Sequence, residues 1–162
     1  MNKKLWNTKE KQVSKEINSF LAGEDIILDK SIFTYDIDAS IAHVNGLQSI
    51  GIIKKSELAK LNKSLKSLKK KFLDGSFKLT DHYEDCHSAI EFYLTQELGD
   101  LGKKVHTGRS RNDQVIVAMR LFAKDNLVEF KNINKIIAKT FLDLAIKHEN
   151  IPAGIIPTKF LD

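Results

Sequence analysis

The chain has 162 residues, enough for one domain with a real core or for a domain and part of another. Its 42% apolar and 29% charged residues are ordinary for a globular protein. No apolar run approaches the roughly 18 residues of a membrane span, and the lone Cys86 excludes an internal disulfide framework.

The polar start, Met1 to Glu10, lacks the apolar core of a secretory signal. With a single cysteine, this fits the reducing conditions of a cytoplasmic location. Much of the formal charge of +5 sits in Lys63, Lys66, Lys69, Lys70 and Lys71. That run reads as a solvated helix face rather than a nucleic-acid contact, because no zinc-finger spacing or aromatic RNA-binding motif accompanies it.

Both prolines, Pro152 and Pro157, lie near the C-terminus, so nothing interrupts helices over the first 150 residues. A first helix is predicted at about Lys11–Leu21, stopped near Gly23, and a second from about Asp29 to Ile50, ended by Gly51. Phe33, Ile37, Ser40, Val44 and Leu47 of the second recur at spacings of four and three.

Ser56 is a candidate cap for a third helix, whose seam is Leu58, Leu61, Leu65, Leu68 and Phe72. Asp74–Gly75 reads as a turn. Asp81 with Glu84 then opens a helix from about Tyr83 to Leu98, closed by Gly99. Leu101–Gly108 reads as a loop leading into a long helix, about Arg111 to Glu149. That helix carries more than one apolar stripe, so it must be buried among several neighbours, and partners are implied. No strand-like alternation, internal repeat or low-complexity linker is present.

The segment His106-Thr107-Gly108-Arg109-Ser110-Arg111-Asn112-Asp113-Gln114 carries the densest chemistry. Ser110 with Asp113 three residues on forms a cap for the long helix. The free N–H groups and positive dipole end of a helix N-terminus favour an anion. Arg109 and Arg111 flank the cap, and a guanidinium can grip a carboxylate through two parallel hydrogen bonds. Asn112 adds an amide that donates and accepts, and Gly108 permits close approach of a ligand. These residues describe either a carboxylate or phosphate site, or a capped helix end whose arginines pair with neighbouring acids.

The histidines have plainer readings. His82 and His87 are five residues apart, a poor single-face pair for a metal, and no metal is expected there. His43 reads as a packed histidine, and His148 as a favourable residue at the negative end of the long helix.

These nine residues resemble the first signature region of argininosuccinate lyases, C–N lyases of the fumarase/aspartase superfamily. Lys4-Leu5-Trp6, Asp36-x-x-x-Ser40-x-Ala42-His43 and Glu84-Asp85-Cys86-His87 with Glu91 resemble further segments of that family. Leu94-Thr95, Gly99 and Gly102-Lys103-Lys104 fit the connection into the signature. The likeness runs from about residue 3 to about residue 150.

It implies an all-α fold, with residues 1–110 as an N-terminal helical domain and 111–150 as the first long helix of a central bundle. It also implies a cofactor-free, reversible elimination of argininosuccinate to arginine and fumarate by a homotetramer whose sites each draw on three chains. Thr107, Arg109, Ser110, Arg111, Asn112 and His87 would bind substrate. The family's later histidine and serine, the acid–base groups, have no counterpart here, so no catalytic residue is assigned.

The chain departs from the family at two places. Gly23-Glu24-Asp25 stands where many members carry a serine-rich stretch, leaving one substrate contact unassigned. Residues 151–162 are unlike the family, although Ile156-Pro157-Thr158 is what codons for Tyr-Thr-His yield when read one base late. The expectation is therefore a truncated or frameshifted chain, inactive alone, in arginine biosynthesis. The alternative is a non-catalytic helical module for oligomerisation or anion binding, with no nucleic-acid or membrane partner.

Overall fold

The computed structural model describes residues 25–80 and 82–151. The helix predicted at 11–21, the Lys4-Leu5-Trp6 segment, Asp81 and the tail after Ile151 lie outside the described residues. Every regular element among those described is helical. They are α1 (Asp25–Asp29), α2 (Phe33–Ser49), α3 (Lys55–Leu73), α4 (Cys86–Leu98), α5 (Asp100–Lys103), a 3₁₀ turn (Lys104–His106) and α6 (Arg111–Lys147). The residues up to Ala123 make one compact unit and those from Lys124 a second.

The core of the first unit follows from helical spacing. Phe33, Ile37, Val44 and Leu47 of α2 are buried against Leu61, Leu65 and Leu68 of α3 and Ile90 and Leu94 of α4. Leu58 and Phe72 extend the α3 seam at its partly buried margins. Phe33 holds an aromatic cluster together, with ring centroids 4.4 Å from Phe72 and 5.7 Å from Phe77. Such tilted and offset pairs add to the area they bury.

Four local predictions need correcting. The helix expected from Asp29 starts only at Phe33, because the chain turns at Lys30–Ile32 after the short, unpredicted α1, and Ile32 N donates to the Asp29 carbonyl there. Ser56 does not cap α3. Lys54 precedes that helix, and its backbone N–H donates to the Glu57 carboxylate at 2.7 Å. The next helix starts at Cys86 rather than Tyr83, capped by Asp85, whose carboxylate accepts from Ser88 N at 2.6 Å.

The fourth correction concerns the supposed loop at 101–108, which is mostly the short helix α5 and the 3₁₀ turn. Gly102 is buried there, and a Cβ on it would run into the backbone of Leu94 and Thr95. Only glycine allows α5 to fold back so closely on α4.

The second unit is the continuation of α6. Leu127, Phe130, Ile136, Phe141, Leu142 and Ile146 each expose more than half their surface.

Candidate carboxylate-binding site

Three separated stretches of sequence meet at the start of α6. Ser110 and Asp113 cap that helix reciprocally: Ser110 N donates to Asp113 Oδ2 at 2.7 Å, and Ser110 Oγ accepts from Asp113 N at 3.2 Å. The S-x-x-D reading of the sequence is the geometry found. These bonds from Ser110, its backbone N–H foremost, hold the Asp113 carboxyl below its ordinary value. Upstream, Gly108 adopts φ +73° in open space, so the chain pivots there into the cap.

The two arginines are held from different sides. Arg109 Nη2 donates to Ser40 Oγ at 2.9 Å, while its Nε is buried without a hydrogen-bond partner. Burial pulls the Arg109 guanidinium down from its ordinary value, although arginine stays charged in proteins. Arg111 Nε lies 3.3 Å from Asp85 Oδ2, and its Nη1 is likewise buried and unpaired. Asp85 thus caps α4 with one oxygen and faces Arg111 with the other, tying the starts of α4 and α6 together. Two guanidiniums with donors unspent, beside a helix N-terminus, are chemically equipped for an anion.

Of the other predicted site residues, Thr107 is half-buried and Ser110 and Asn112 are exposed. His87 is not presented to the surface. It is 2% exposed, and its Nδ1–H donates to Asp36 Oδ2 at 2.6 Å. Cys86 shares this pocket, and burial, followed by the charge of Asp36, pushes its thiol far above the ordinary range. Its backbone N–H donates to Asp29 Oδ2 at 2.8 Å, and burial raises the Asp29 carboxyl.

Asp36, Cys86 and His87 bring three ligand-type atoms within 4.8 Å of one another. The 2.6 Å separation of the histidine and aspartate atoms is a hydrogen-bond distance. Two ligands of one tetrahedral zinc stand about 3.3 Å apart, given bonds of about 2.0 Å. The trio as arranged is a hydrogen-bonded pair beside a thiol, and a cation would have to part that pair.

The residues that brace this region are not marked by the signature segment itself. Asp36 holds His87, Ser40 holds Arg109, and His43 Nε2 donates to the Thr107 carbonyl at 2.9 Å. His106 Nδ1–H also donates to Gln114 Oε1 at 3.1 Å, bracing the loop against the first turn of α6. A signal was available in the polar spacing of four and three on a face of α2 that is otherwise apolar.

An all-helical unit with an arginine-rich loop delivered into a long helix is the frame in which known relatives can be compared. A sequence model of the lyase family matches residues 10–154, and the chain belongs to that family. It is 49% identical over 152 residues to a protein named argininosuccinate lyase from Xanthomonas campestris pv. campestris (strain B100). It is 50% identical over 152 residues to one from Xanthomonas euvesicatoria pv. vesicatoria (strain 85-10), and 48% over 148 to one from Stenotrophomonas maltophilia (strain K279a). These alignments cover 94%, 94% and 91% of the chain but 35%, 35% and 34% of the relatives, so the chain spans about a third of their length.

Proposed function

We propose that the chain supplies the carboxylate-binding loop of an argininosuccinate lyase, the enzyme that splits argininosuccinate reversibly into arginine and fumarate. The observation carrying this reading is the pair of guanidiniums, Arg109 and Arg111, with buried unpaired donors at the N-terminus of α6. The names of the relatives support it.

In such an elimination a base takes a proton from the succinyl carbon, and charge builds on the neighbouring carboxylate as the deprotonated carbon becomes planar. The C–N bond then breaks, and its electron pair leaves with the arginine nitrogen. Donors fixed in place where charge develops contribute most to such a step. Arg109 and Arg111 would grip the substrate carboxylates, with Thr107, Ser110 and Asn112 completing the cradle. His87, fixed by Asp36, would orient the cradle from beneath.

Residues 1–110 would form the N-terminal helical domain and 111–150 the first long helix of a bundle pooled by four subunits, while the family match ends at residue 154. The exposed apolar residues of α6 support that association. A single, buried cysteine is in keeping with a cytoplasmic location.

Titration calorimetry with argininosuccinate, with ultraviolet detection of fumarate, tests the assignment. Binding is expected, weakened about ten- to a hundredfold in Arg111→Ala through loss of a charged hydrogen bond. Equal affinity for inorganic phosphate would favour a general anion-binding module, and no binding of argininosuccinate would overturn the reading.

A further inference from the structure

The polar stripe on α2 grips two other segments of the chain at three points, and its grips differ in kind. Asp36 and Ser40 each fix a side chain, His87 and Arg109. His43 instead reaches across 64 residues of sequence to a main-chain atom, the Thr107 carbonyl. Thr107 immediately precedes Gly108, whose positive φ turns the chain into the cap of α6.

We propose that His43 is a positioning residue for the carboxylate-binding loop, its Nε2–H holding the Thr107 carbonyl and so setting where Arg109, Ser110 and Arg111 present their donors. This rests on the functional reading above. The imidazole is borne on a regular helix, and its partner is backbone, so the tether fixes the path of the chain itself. The neutral ring suffices, since a single N–H is all the contact needs. Burial favours that form and lowers the His43 pKa; the bond to the Thr107 carbonyl opposes it, and Arg109 and His106 act with burial. A displacement of about 1 Å in such a loop can cost about a hundredfold in a site that depends on orientation.

The test compares His43→Leu, which removes the donor at similar bulk, with His43→Gln, which restores an N–H. Both are made in the 162-residue chain and followed by amide hydrogen exchange and by argininosuccinate titration. In the leucine variant, residues 107–114 should exchange faster while α3 keeps its protection, and affinity should fall about ten- to a hundredfold. The glutamine variant should recover most of both. Unchanged exchange in the loop with unchanged affinity overturns the proposal. Protection lost evenly over α2, α3 and α4 does so too, since His43 would then be a general packing residue. If the unaltered chain fails to bind argininosuccinate, the functional reading falls, and loop exchange alone decides the role of His43.

Discussion

Helices α3 and α6 are both written with long apolar seams, yet they meet opposite fates. Leu61, Leu65 and Leu68 of α3 are wholly buried, whereas Leu127, Phe130 and Phe141 of α6 expose 65%, 64% and 66% of their surface. Periodicity states that a face is to be covered, but not by what. For α3 the cover is α2 and α4, close by in sequence. For α6 beyond Ala123, none of the described residues of the second unit encloses the apolar side chains.

The contrast can be broken by substitution. Leu65→Ala should cost about 3 kcal/mol in urea unfolding, the transfer loss plus a cavity that a packed core closes only in part. A loss below about 1 kcal/mol would mean that the α2–α3–α4 core is loosely packed. Gly102→Ala comes next, at about 2 kcal/mol, because its methyl group must displace the backbone of α4 and not a flexible side chain. Wild-type stability in that variant would show that α5 need not approach α4 so closely.

Much of this architecture was legible in advance. The α3 seam is an uninterrupted helical repeat, and Gly51, Gly75 and Gly99 take the positive φ expected where helices and turns end. The misread places turn on contacts remote in sequence or unusual in chemistry. Nothing between Asp29 and Phe33 advertises a break, since the Asp29 carboxylate is engaged by the Cys86 amide 57 residues away. At the start of α3 the Ser56 hydroxyl is the expected cap, but Glu57 satisfies the Lys54 amide from inside the helix.

The site was legible in its chemistry and illegible in its support. The Ser110–Asp113 cap is local, while the grips of Asp36, Ser40 and His43 exist only once α2 lies beside the loop.

Smaller effects sharpen the comparison at the covered end of α6. Ser110→Ala should cost about 1 kcal/mol by differential scanning calorimetry, as loss of an N-cap generally does. The Asp113 carboxyl adds a pH signature. Its folded pKa lies below the unfolded 3.8, so its contribution is complete above that value and fades as pH falls through the lower folded one. The Ser110 variant should weaken that dependence without abolishing it, because the backbone N–H at position 110, the larger cause, remains.

The smallest effect is expected at the uncovered end. Phe130→Ala should change the stability of the dilute chain by no more than about 0.5 kcal/mol, while reducing self-association in analytical ultracentrifugation. A cost rivalling that of Leu65→Ala would mean that the exposed face of α6 is covered after all.

The setting of Cys86 gives the protein a built-in clock. Its thiol is fully buried, lies 4.0 Å from the Asp36 carboxylate and is held in its protonated, unreactive form. An alkylating reagent can therefore modify it only during excursions that part α4 from α2, and the labelling rate counts those excursions. Because the same aspartate holds His87, one chemical stopwatch times the breathing of the foundation on which the loop rests.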